Sequence, residues 1–416
     1  MKNFVWQQKN WFIAVSLLCL LALSLAACGN NGSVNGSNKP TSTAGSGSVT
    51  PTVPAVSTPT VNTNPGSAKD PCTDPSYWKS IVGLHRGQTV ESVSCGNLIG
   101  TADRQAVVDV RNAGEEQLLD VHVYRNITSA HPEDLFELTG LVHGEARVSR
   151  VNTVITAEVD KHSSINKGKP EGQLTQDLFR EFKRPAGAGT LVRTAFPGFY
   201  PDLTRYQAEA DQAGITNADQ SWKLDAIATV KHFMVALLKF PANSTVKLIS
   251  GGGARDLQAV VNVTYPTIRG CCNFRPNKVM LERLEGNAQD GIWIVTAVTS
   301  DSLSINLPHR GEMLFHPATV TGSGFSFEGQ VGTVYILDHL YNIVGSARAI
   351  LSNPDGGFGG PFSASVPYTS TFYTGVEDGI VLLNDQGGSG VGAISEVVMV
   401  KVLLTATPPC GACVAP

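Results

Sequence analysis

Charge is scarce in this chain. Only 16% of its 416 residues are Asp, Glu, Lys or Arg, and 31 basic against 35 acidic residues leave a formal charge of −4. Neither sign accumulates, which argues against a nucleic-acid surface and excludes that class of partner. Aromatic residues make up 7% and methionines number five. Chemical motifs are missing too: there is no G-x-S-x-G elbow, no H-E-x-x-H and no P-loop. Acidic residues lie singly, without a paired-carboxylate signature. The run 388–393 (GSGVGA) mimics a dinucleotide loop, but a strand pattern follows where a helix N-terminus is required, so it reads as a β-turn. These absences lead us to expect no catalytic residue, no cofactor and no bound metal.

One apolar run stands at the N-terminus. Lys2 and Lys9 precede it, it covers 11–25, and it ends in Leu25-Ala26-Ala27-Cys28. A membrane-spanning helix needs roughly twenty apolar residues, so this shorter run reads as a signal peptide. The segment resembles the type II signal of bacterial lipoproteins: Leu, a small residue, Ala or Gly, then Cys. The resemblance implies that 1–27 is removed and that Cys28 becomes a lipidated N-terminus. It also implies a membrane partner through that anchor, on the extracytoplasmic face. Gly29 stands where some diderm lipoproteins carry a retention Asp, so nothing argues for inner-membrane retention. Residues 28–70 are then rich in Ser, Thr, Asn, Gly, Pro and Val, nearly without charge. Such composition cannot bury enough apolar surface to order itself, and predicts a disordered tether spanning roughly 35 Å as a coil.

Of eight cysteines, Cys19 lies in the signal and Cys28 takes the lipid. An exported chain uses the remaining six as disulfides. Cys72 and Cys95 form the natural first pair. Cys271, Cys272, Cys410 and Cys413 are able to bridge internally or to each other. The Cys410–Cys413 spacing looks superficially like a thioredoxin CxxC but lacks the βαβ context, so a staple is expected there rather than redox chemistry.

The expected fold class is mainly β with α+β: an N-terminal β-rich region, a middle helix-on-antiparallel-sheet module and a C-terminal immunoglobulin-like β-sandwich. In 71–200 alternating patterns at 106–110, 118–124, 146–151 and 154–159 predict antiparallel strands. The run 96–103 is similar to the calcium loop of FG-GAP repeats, but its acidic positions are reduced to Asp103, so a plain β-meander is expected. Residues 174–183 read as a short helix with Leu174, Leu178, Phe179 and Phe182 on one side. The aromatic turn 196–202 reads as a plug at a domain edge. His122, His131, His143 and His162 lack metal-ligand spacing and read as surface or strand residues.

In 201–303, residues 202–213 predict a connecting helix. Residues 219–240 predict a longer one, with Trp222, Ile227, Val230, Phe233, Met234, Leu237 and Leu238 on one face and Pro241 as its stop. Strand patterns follow at 245–250, 257–265, 278–284 and 292–299. The order resembles the cone-shaped fold of nuclear transport factor two, by layout rather than by motif. His232 is a candidate for such a cone's interior, and a packed helix residue is the commoner outcome.

In 304–404, 318–324 (ATVTGSG) runs into 327–331 (FEGQV), followed by 360–366 (GPFSASV) and the valine-rich 395–402. These stretches resemble the immunoglobulin-like domain of bacterial spore germination proteins, the Gmad type. The chain departs from that pattern in Gly324, where the family has Ala, and in lacking a Trp near the G-P-F turn. The resemblance implies an exported adhesion-like or structural module, in an envelope or sporulation setting, and brings no catalytic residue. Residues 405–416 form a Cys-containing tail. The expected function is a non-catalytic binding or structural module of the cell envelope, with an envelope protein or cell-wall polymer as partner. The alternative is a secreted hydrolase with a site in the middle α+β region.

Overall fold

The computed structural model describes residues 70–407, except 115, 216–217, 268–273, 287–288, 327–328, 354–357, 374 and 386–394. The expectations for the signal segment, the tether before residue 70, Cys28, Cys271, Cys272, Cys410 and Cys413 lie outside the described residues. So does the turn expected at 388–393.

Antiparallel β-structure dominates. The first region holds two four-stranded sheets. One has the order β1 (Gln88–Gly96), β2 (Gln105–Asn112), β3 (Leu119–Arg125) and β4 (Glu133–Leu141). The other runs β5 (Glu145–Val148), β6 (Val154–Glu158), β7 (Leu178–Lys183) and β8 (Val192–Thr194). Alternation explains their packing. Val107, Val121 and Val123 point toward the second sheet and share a core with Ala146, Val154 and Phe182. Ala106, Val108, Val110 and Tyr124 point the other way, onto Trp78 of the short helix α1 (Pro75–Trp78). In the 96–103 loop, the buried Gln105 carboxamide oxygen accepts from Leu98 N (2.7 Å) and Ile99 N (3.2 Å). The loop is thus folded around an internal side chain.

The helix expected over 174–183 is instead strand β7. Leu178, Arg180 and Phe182 face one side and Phe179 and Glu181 the other, a period of two. Pairing with β6 and β8 along this stretch outweighs the helical spacing of Leu174, Leu178, Phe179 and Phe182.

The middle region contributes α2 (Arg205–Gly214) and α3 (Ala226–Ala236). The single helix expected over 219–240 is divided: a 3-10 turn spans Ala218–Leu224. Asp225, in extended conformation, accepts a hydrogen bond from Ala228 N (2.8 Å) and starts α3 as its N-cap. Val230, Phe233, Met234 and Leu238 of the expected face are buried. They pack on β9 (Thr245–Gly251), β10 (Gln258–Thr264), β11 (Asn277–Glu282) and β12 (Ile294–Thr299). Trp293, Val261, Val263, Val279 and Leu281 fill the space beneath the helix. His232 does not enter that space; it is exposed and stacks on Trp222, ring centroids 4.2 Å apart.

The third region adds β13 (Ser304–Leu307), β14 (Met313–Leu314), β15 (Ala318–Phe325), β16 (Gln330–Leu337), β17 (Ile343–Ile350), β18 (Gly359–Val366), β19 (Val376–Asp385) and β20 (Glu396–Thr405). The sheet β13-β15-β18 faces β16, β19 and β20 across a core of Val320, Phe362, Ala364, Val334, Val381 and Val402. Strand β20 also pairs with β12 (Val298 opposite Met399), so one sheet runs β17-β16-β19-β20-β12-β11-β10-β9 across residue 303. Strands β19 and β20 are therefore covered on both faces. Ile380, Leu382 and Met399 join the core under α3, while Val381, Leu383, Val398 and Val402 join the sandwich core.

The Cys72–Cys95 disulfide, with Cα atoms 5.4 Å apart, ties the start of the folded chain to β1. Beside it Trp78 donates to Pro71 O (2.7 Å) and is fully buried. We predict that Cys72→Ser lowers stability by about 3 kcal/mol, the loop-closure value for a loop of this length. The check is thermal unfolding without reductant; an unchanged melting temperature would show that the Trp78 anchor suffices alone.

Candidate functional site

Buried ion pairs gather where the three regions meet. Arg193 on β8 donates to Asp378 Oδ2 on β19 (2.6 Å), and Arg180 on β7 reaches Glu377 Oε1 (2.6 Å) and also pairs with Glu158. Arg205, in the first turn of α2, bridges Glu181 of β7 (2.7 Å) and Glu285 after β11 (2.5 Å). Its guanidinium also lies 5.0 Å from the centre of the Phe196 ring. Lys401 of β20 is wholly buried; its three donors go to Asp378 Oδ1 (3.1 Å), Gly198 O (3.0 Å) and Leu203 O. An ammonium has three N–H groups, so this one is satisfied. Burial pushes the Lys401 ammonium down to about 8, against the pull of Asp378.

Local sequence places these groups. The aromatic turn 196–202 buries Phe196 and Phe199, and its backbone pairs with β12 through Phe199 N to Val295 O (2.7 Å) and Val295 N to Tyr200 O (2.8 Å). The expected plug is therefore seated between all three regions, with Tyr341 OH donating to Phe199 O (2.7 Å). Gly198 is required there, since a Cβ would lie 2.6 Å from Ile294 Cγ2 and 2.5 Å from the Phe196 ring.

On one flank of this seam opens a groove of about 710 Å³, lined by Arg150, Gln212, Leu284, Glu285, Gly286 and Asp290 among others. Its polar groups are largely committed. Gln212 donates to Asp290 O (2.7 Å) and accepts from Ile292 N (2.8 Å), and Glu209 accepts from Arg150 N (2.7 Å) and pairs with Arg147. Glu285 is the exception: Oε1 meets Arg205, while the buried Oε2 has no hydrogen-bond partner. Burial raises its carboxyl to about 7, with Arg205 opposing. The groove thus offers one acid poised near neutrality. Among the described residues lining it, Asp290 is the other carboxylate and no hydroxyl or thiol side chain is present.

Of the residues expected from sequence, Cys72 and Cys95 are brought together. Arg180, Arg193, Arg205, Glu285, Asp378 and Lys401 carried no sequence signal beyond being isolated charges within apolar strand patterns. No family model matches the chain, and no curated protein matches it.

Asp378→Ala leaves Arg193 and Lys401 buried without their carboxylate and should cost about 3–5 kcal/mol. Asp301→Ala, which removes the exposed Lys278 partner, should leave the melting temperature unchanged. Equal small effects would deny the seam its role. Because the folded Glu285 carboxyl is raised above its unfolded value, its contribution is fully present below pH about 4.5 and is lost as pH rises through about 7. Glu285→Gln should therefore flatten the decline of stability over that window, measured by chemical unfolding at several pH values.

Proposed function

We propose that this chain is a membrane-tethered, extracytoplasmic lipoprotein acting as a non-catalytic binding or structural module of the cell envelope. The observation that carries the reading is the Cys72–Cys95 disulfide at the entry to the folded chain, directly after the nearly uncharged 28–70 stretch. Disulfides belong to oxidising compartments, and one at this point resists fraying where a tether would pull. The Leu25-Ala26-Ala27-Cys28 pattern supplies the anchor in this reading. The filled space beneath α3 and the buried ionic seam support it further, since both favour rigidity over a substrate cavity. The resemblance of 304–404 to the germination-protein domain supports a sporulation or germination setting. An envelope protein or wall polymer is the partner.

The test is fractionation. Cys28→Ser should abolish lipid labelling and leave an unprocessed or released protein, whereas wild type labels and sediments with membranes. A Cys28→Ser chain that is still processed and lipid-labelled would overturn the anchor.

A further inference from the structure

We propose that the outer face of the first sheet carries a divalent transition-metal site, with His122, Asp134 and Glu137 as ligands and water completing the shell. One donor atom from each of the three side chains lies within 4.8 Å of the others. The inference is independent of the anchor and of the envelope role.

Strand geometry builds the cluster. His122 on β3 stands directly opposite Glu137 on β4, and Tyr124 stands opposite Asp134. Residues 134 and 137 are three apart, and in a regular strand they would face opposite sides of the sheet. The register shifts between the Val123 and Tyr124 pairings, so Leu135 is an inserted residue that turns inward to the core. This bulge brings both carboxylates to the side of His122, which is the re-aiming that bulges perform.

The imidazole is held before any ion arrives. Its ring stacks on Tyr124, centroids 6.2 Å apart, and Tyr124 stacks on the buried Trp78 at 5.0 Å. His122 Nδ1 is buried and has no hydrogen-bond partner. Glu137 Oε1, at 3.9 Å, is aimed at it but too far for a hydrogen bond. An imidazole nitrogen without a hydrogen-bond partner, in a cluster with two carboxylates, is an incomplete coordination shell. Metal–ligand bonds of about 2.1 Å bring donor atoms to roughly 3.0–3.4 Å of one another. Asp134 and Glu137 are at exposed positions with room to move toward an ion, although Asp134 Oδ1 must share or release the hydrogen bond it accepts from Phe136 N (3.1 Å).

The donor set selects the ion. One imidazole nitrogen with two carboxylate oxygens suits zinc-class divalent ions, where oxygen alone would suit calcium or magnesium. Three protein ligands leave open positions for water, the arrangement of reactive rather than purely structural sites.

The experiment titrates Co²⁺ into the full chain in detergent, followed by visible d–d absorption and competed with Zn²⁺. We expect saturable binding of one ion per chain without a thiolate charge-transfer band, which separates this site from the cysteines. Glu137→Gln and Asp134→Asn, both at exposed positions, should each weaken Co²⁺ at least tenfold, and His122→Gln more. Glu133→Gln, whose carboxylate pairs with Arg125 instead, should leave binding unchanged. Circular dichroism of every variant separates lost ligation from lost fold. Absence of binding at millimolar Co²⁺, binding indifferent to Glu137→Gln in a folded variant, or binding removed by thiol alkylation would each overturn the site.

Discussion

Asp378 is the point on which the described structure turns. One buried carboxylate receives Arg193 from the first region and Lys401 from the neighbouring strand, while Lys401 also holds two carbonyls of the 198–203 turn. Burying charges is costly, and the attraction between them offsets that cost only when every partner is in place. A seam of this kind therefore contributes registry more than net stability. Strands β8, β19 and β20 and the aromatic turn must all be seated before any one of these groups is satisfied. The Arg180–Glu377 and Arg205–Glu181–Glu285 pairs extend the same condition to β7 and α2.

The seam works because β19 and β20 lie at the middle of everything. Covered on one face by the core under α3 and on the other by the sandwich core, they read as nearly unbroken apolar runs. Of the polar residues on them, Glu377, Asp378 and Lys401 sit where the first region docks. Low overall charge and a charged interior joint are thus two sides of one arrangement. Where water is excluded, a small number of fully paired ions specifies orientation between otherwise apolar surfaces.

Rigidity of this kind bears on function. A chain whose regions are locked through shared strands and paired ions presents fixed outer surfaces. The groove beside Glu285 and the His122 face are open to solvent, and the three residues of the latter are carried by paired strands.

Sequence alone determined what depends on local pattern. Alternating residues at 106–110, 118–124 and 257–265 determined strands, and Val230, Phe233, Met234 and Leu238 determined the buried face of α3. The spacing of Cys72 and Cys95 at the edge of the folded chain pointed to their bridge. Tertiary structure decided what depends on distant partners. Residues 178–183 became a strand because β6 and β8 lie on either side of them, and the 219–240 helix divided where the Asp225 carboxylate could cap it. The continuous sheet across residue 303 follows from one pairing between residues about a hundred positions apart. Neither the Asp378–Lys401–Arg193 seam nor the meeting of His122 with Asp134 and Glu137 was legible. Each joins residues on different strands, and the second turns on one inserted residue in β4. Periodicity reports which face a side chain occupies, but register decides which other side chain it meets there.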